Sequence, residues 1–167
     1  NKIKAANPDV LYVPSYYEQD GLIARQAREV GYTGPIVGGD GWDYAKLAEI
    51  SGGADVLQNI FFTNHYSVAD PTPIVADFVK KYTQKFGYEP DAFAALGYDC
   101  AYLLVDAIKR AGAADPAKIR DALASTSGFE GVTGSVTMDE KHNPIKSVVV
   151  LTFDETGKTK FVETFQP

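Results

Sequence analysis

Short apolar runs alternate with stretches of helical periodicity through the first third of the chain, and this alternation narrows the possible folds most. Val10-Leu11-Tyr12-Val13 reads as a strand and Pro35-Ile36-Val37 as the next. Residues 56–66, rich in β-branched and aromatic side chains, contain a third. A helix opening at Asp20 or a neighbour carries Leu22, Ile23, Ala27 and Val30 on one face and stops at Gly31. Residues 44–50 form a short helix ended by Gly52-Gly53. Strands and helices alternating at this spacing specify an α/β fold with a doubly wound parallel sheet.

The middle of the chain is helical. Thr72 and Pro73 supply a cap and a first-turn proline. Ile74, Val75, Phe78, Val79, Tyr82 and Phe86 follow at helical spacing before Gly87. Residues 91–111 make a longer helix, with Phe93, Leu96, Cys100, Leu103, Leu104 and Ala107 expected inward and Gly112 as the stop. Asp115-Pro116 opens a third helix carrying Ile119, Ala122 and Leu123. The last part switches to hairpins, with strands at 132–138, 147–153 and 160–165 and turns at 139–144 and 154–158.

At 167 residues the chain is one domain or an incomplete piece of a larger one. Its 45% hydrophobic and 12% aromatic content is enough for a proper core and argues against disorder. Acidic residues outnumber basic ones 22 to 16, and no Lys/Arg run is present, which disfavours nucleic acid and anionic membrane surfaces as partners. Apolar stretches such as 148–151 are far too short to span a bilayer. The single cysteine, Cys100, excludes an internal disulfide and every cysteine-based metal site, and its helical face predicts a buried, inert thiol. The chain opens inside what reads as a helix tail, Asn1 to Ala6, so the expectation is a fragment or a processed portion.

No enzyme motif stands out: there is no Gly-x-Ser-x-Gly elbow, Walker loop or His-Glu-x-x-His. Gly38-Gly39-Asp40-Gly41 fails as a phosphate cradle on spacing, and Asp40 repels a phosphate there. His65 and His142 read as solvated or turn residues. Asp139-x-Lys141-x-Asn143 lacks the glycine and terminal glutamate of a calcium loop and reads as a hairpin turn. No enzymatic activity, cofactor or metal is expected.

Two clusters sit just past the first two strands: Tyr16-Tyr17, and Gly38-Gly39-Asp40-Gly41-Trp42. Open α/β sheets bind ligands outside the carboxyl ends of their strands. A carboxylate framed by aromatic faces suits a cationic amine through an ion pair and cation–π attraction. Two plainer roles compete with this. Adjacent tyrosines cannot both point into a cleft, so at least one is structural, and Asp40 in an Asp-Gly pair is also a turn or helix-capping residue.

Residues 7–17, the run Arg25-Gln26-Ala27-Arg28-Glu29-Val30-Gly31, and Gly38-Gly39-Asp40-Gly41-Trp42 together resemble the type I periplasmic binding proteins. Within that class the likeness is to the branched-chain amino-acid (Leu/Ile/Val) binding proteins of ABC transporters. Tyr88-Glu89-Pro90-Asp91, Gly97-Tyr98-Asp99 and Gly131-Val132-Thr133-Gly134 continue it, over essentially the whole chain. The resemblance implies two lobes joined by three crossovers that clamp a ligand, with this chain as the second half of such a protein. It assigns residues 1–64 and the terminal strands 145–167 to the second lobe and the mostly helical 65–144 to the first. It places Tyr16 at the cleft, Asp40 on the ligand's α-ammonium, Trp42 beside the side-chain pocket and Tyr98 approaching from the other lobe. The groups holding the α-carboxylate would lie in the absent first half.

The implied function is solute capture outside the cytoplasm, periplasmic or extracellular, with or without a lipid anchor, and delivery of an α-amino acid to a membrane permease. A ligand-sensing module of the same fold, such as an amide sensor or receptor ectodomain, is the alternative. Alone, the chain is expected to leave a hydrophobic sheet edge and a helix face uncovered. It would then pair with its other half or, by domain swapping, with a second copy.

Overall fold

The computed structural model describes residues 2–166. After α1 (Lys2–Ala6) the chain alternates β1 (Leu11–Val13), α2 (Tyr17–Glu29), β2 (Ile36–Gly38), α3 (Leu47–Ser51) and β3 (Ile60–Asn64). A 3-10 turn at Asp40–Trp42 follows β2, and a second at Ala54–Leu57 precedes β3. β1, β2 and β3 are parallel neighbours, as the alternation requires, with Val13 opposite Gly38 and Gly38 opposite Phe62. The sheet then continues antiparallel through β7 (Val148–Phe153) and β8 (Thr159–Phe165), in the order β1-β2-β3-β7-β8. One core lies here, built on Ile36, Trp42, Leu47, Leu57, Ile60, Phe62 and Leu151.

Between β3 and β7 lies a mostly helical body. It holds α4 (Pro73–Phe86), α5 (Ala92–Ala111), α6 (Pro116–Ala124) and a small antiparallel sheet of β4 (Phe129–Gly131), β5 (Gly134–Met138) and β6 (Pro144–Ile145). A second core joins Tyr66, Val75, Phe78, Ala92, Ala95 and Val132. No helix among the described residues is long and apolar enough to cross a membrane.

Several local expectations change. α2 starts at Tyr17, so Asp20 lies inside its first turn and does not cap it. The buried stripe is Asp20, Gly21, Ala24 and Ala27, and Leu22 is exposed. Small residues face inward because α3 packs close: a Cβ on Gly21 would stand 2.8 Å from Ile50 Cγ2. Thr72 occupies the cap position of α4 without a side-chain cap, whereas the Asp91 and Asp115 carboxylates accept from Ala94 N (2.8 Å) and Lys118 N (2.9 Å).

Val132 and Thr133 form the turn of a tight hairpin closed by the Gly131–Gly134 pair, instead of opening a strand. Asp99 on α5 holds that turn, its Oδ1 accepting from Val132 N and its Oδ2 from Thr133 N, both at 2.8 Å. α5 buries Ala92, Ala95, Asp99 and Ala107. Of the residues expected inward only Ala107 is buried, while Phe93, Leu104 and Cys100 are exposed. The helix is apolar around most of its circumference, and α4, α6 and the hairpin cover its small-residue face.

Candidate functional site

The site is built where the parallel strands end. β1 runs into Ser15 and Tyr16, and β2 runs into Gly39 and the 3-10 turn that carries Asp40. The two loops touch at Gly41. A Cβ there would fall 2.0 Å from Ser15 O and 3.1 Å from Tyr16 Cα, so only glycine lets the backbones meet. That contact brings Tyr16 and Asp40 together. Tyr16 is the N-cap residue of α2 with an extended backbone, and it is 63% exposed. Tyr17 takes the structural role instead, stacked on Tyr44 with centroids 4.0 Å apart.

Asp40 is half-exposed, and His65 Nε2 lies 3.0 Å from its Oδ2. His65 is therefore not the free surface residue expected from its sequence context. Its position carries a signal all the same: it follows β3 directly, as Tyr16 follows β1 and Asp40 follows β2. The rule that ligands gather past the carboxyl ends of strands applies to the third strand as well as to the first two.

Trp42 corrects an expectation. Its side chain is completely buried and its indole Nε1 donates to Val13 O at 3.0 Å. It therefore has no surface to offer a pocket. Instead it locks the Asp40 turn onto β1 from beneath, and a Cβ on Gly38 would fall 2.0 Å from that same Nε1.

Asp43, one residue past the turn, is absent from the sequence reading. It is buried, its amide donates to Asp40 O at 3.1 Å, and its Oδ2 accepts from Asn64 Nδ2 (2.9 Å) and Ala92 N (2.8 Å). Burial pushes its carboxyl up, opposed by those two hydrogen bonds; the nearby carboxylates Asp91 and Asp40 push it further up. Tyr66 is buried beside it, its hydroxyl donating to Pro90 O and its own ionisation opposed chiefly by burial. A cleft of about 130 Å³ opens here, lined by Asp43, Tyr44, Tyr66, Glu89 and Asp91 among others. Three carboxylates, Asp43, Glu89 and Asp91, line this cleft against one cation, Lys158.

Tyr98 lies on α5, its ring packed against Phe78 (4.8 Å) and Tyr102 (4.6 Å). Both neighbours belong to the helical body, so the structure does not bring Tyr98 to Asp40. The Tyr102 hydroxyl, with burial, pushes the Tyr98 phenol up to about 12. Asp139 accepts from Lys141 N (2.8 Å) and Asn143 N (2.7 Å), which is the hairpin turn expected of it. No group of three or more His, Cys, Asp or Glu side chains is placed to hold a metal among the described residues.

A family model described as periplasmic binding protein matches residues 1–158. The chain is 32% identical over 145 residues to the Leu/Ile/Val-binding protein homolog 1 of Brucella suis, covering 86% of this chain and 38% of that protein. The leucine binding protein LivK of Thermotoga maritima superposes with a TM-score of 0.89 at 40% identity, covering 99% of this chain and 48% of that one. A branched-chain amino acid transporter substrate binding protein, LivJ of Streptococcus pneumoniae, was solved in complex with isoleucine. It gives 0.85 at 37%, covering 95% and 45%. The chain thus spans less than half the length of each of these relatives.

Proposed function

The chain belongs to the periplasmic binding protein family, and from that premise we propose that it supplies one jaw of an amino-acid trap serving an ABC importer. The observation that carries this is the Asp40 carboxylate. It stands half-exposed past the ends of the parallel strands, one oxygen held by His65, with exposed Tyr16 beside it. Oδ1 accepts the ligand's α-ammonium, and Tyr16 adds a hydrogen bond or a cation–π contact. Trp42 keeps the turn in place from below. Tyr98 reaches the ligand from the opposing lobe when the two lobes close.

The two separate cores support a division into a second lobe of residues 1–64 and 145–167 and part of a first lobe at 65–144. The remaining polypeptide supplies the groups for the α-carboxylate. Relatives named for leucine, isoleucine and valine make a branched aliphatic side chain the first substrate to test. The protein works outside the cytoplasmic membrane and hands its ligand to a permease.

Calorimetric titration of leucine into the complete polypeptide carrying this chain tests the reading. A charge-assisted hydrogen bond contributes about 1.5–3 kcal/mol, so Asp40→Ala should weaken binding about 10- to 100-fold. An Asp40→Ala protein that binds leucine within twofold of wild type removes Asp40 from the ammonium site.

A further inference from the structure

A series of hydrogen bonds, continued through the covalent frame of His65, runs from the candidate ammonium site to the N-terminus of α5. Asp40 Oδ2 meets His65 Nε2 at 3.0 Å. The backbone N–H of His65 donates to Asn64 Oδ1 at 2.8 Å. Asn64 Nδ2 donates to Asp43 Oδ2 at 2.9 Å, and that same oxygen accepts from Ala92 N at 2.8 Å. The circuit closes on itself through Asp43 N, which donates to Asp40 O at 3.1 Å. Asn64 and Asp43 are both buried.

Its two ends belong to different bodies. Asp40, Asn64 and Asp43 sit on or beside the strands of the first core, whereas Ala92 is the first residue of α5 and belongs to the second. Asp43 is the one side chain in the circuit that grips both. The grip is directional, because a carboxylate oxygen at a helix N-terminus meets an otherwise unpaired N–H and the positive end of the helix dipole. Moving α5 away from the strands exchanges that bond for water. A shift of the Asp40 turn carries Asp43 with it, because Asp43 N is bonded to Asp40 O, and so moves the oxygen that holds α5.

We propose that Asp43 is a positioning residue that couples occupancy of the Asp40 site to the placement of α5. This rests on the reading of Asp40 as the ammonium acceptor. Asp43 acts through Asn64 and Ala92. It keeps the helix that carries Tyr98 in register with the turn that carries Asp40, and ligand bound at Asp40 stiffens the circuit and tightens the Asp43–Ala92 bond.

The test uses the complete polypeptide and leucine. Asp43→Ala should bind leucine at least tenfold more weakly. Asp43→Asn, whose Oδ1 can still accept from both Asn64 and Ala92, should stay within threefold of wild type. In the wild-type protein, where folding is not at issue, saturating leucine should slow hydrogen exchange of the Ala92 amide by threefold or more. A purely structural role for Asp43 slows the Ala92 amide no more than the core amides of β2 and β3, which register the general stabilisation by bound ligand. Leucine that binds wild type without slowing the Ala92 amide beyond those core amides overturns the coupling and leaves the ammonium site standing, as does a folded Asp43→Ala protein with wild-type affinity. A wild-type protein that binds no leucine overturns both.

Discussion

Asp20 is wholly buried in the first turn of α2, neither carboxylate oxygen has a hydrogen-bond partner, and burial pushes its carboxyl up from 3.8 to about 7. Below pH 3.8 the folded and unfolded chains both carry the proton. As pH rises toward 7 the unfolded chain ionises while the folded one does not, so stability falls across that window and levels off above it. The shift corresponds to at most about 4 kcal/mol. Asp20→Asn, neutral throughout, should lack that fall. Its melting temperature should exceed that of wild type at pH 8 by more than at pH 4, and parallel melting curves across this range would overturn the assignment. Similar chemistry meets opposite fates nearby: Asp40 is half-exposed at a turn, and Tyr16 faces out while Tyr17 stacks on Tyr44. Asp-Gly at a strand end was legible as a turn. Which tyrosine packs was not, because that depends on Tyr44, far along the chain.

At the scale of elements, α5 shows how a helix can be recognised while its inner face is misassigned. Its length, its Asp91 cap and its Gly112 stop all follow from local sequence. Both of its apolar stripes have helical spacing, and periodicity alone does not choose between them. The choice falls to Asp99, which binds the amides of Val132 and Thr133 and so turns the alanine face toward the β4–β5 hairpin. A Cβ on Gly131 would lie 2.6 Å from Asp99 Oδ2, which keeps that approach open only to glycine. Asp99→Ala strands two buried amides at about 1–3 kcal/mol each, so the unfolding free energy should drop by about 2–6 kcal/mol. Urea denaturation measures this. A loss under about 1 kcal/mol would mean that water satisfies both groups.

For the whole molecule, the uncovered surface is the dominant feature. Val10 and Tyr12 are exposed at the β1 edge, Phe161, Val162 and Phe165 along β8, and Phe93, Tyr102, Leu104, Val105 and Ile108 on α5. Open strand edges and broad apolar faces drive association. Residues 1–167 expressed alone should therefore run as a dimer or larger species in light scattering, and a compact monomer would contradict this. Their exposure also accounts for the misplaced Cys100, which the sequence puts in a buried stripe and the structure leaves open.

The sequence by itself determined the parallel strand–helix alternation, the helical middle, the terminal hairpins and the positions of Tyr16 and Asp40 past their strands. Each of these rests on residues a few places apart, where periodicity, caps and turn chemistry act. Only the tertiary structure decided that Trp42 lies under the site and that His65 pairs with Asp40. It also decided that Asp43 reaches α5. β2 and β3 lie side by side with Gly38 opposite Phe62, which carries residues beyond both strand ends into contact across 25 positions of sequence. Burial and pairing of this kind depend on which distant segments the sheet brings together, and no local pattern encodes that.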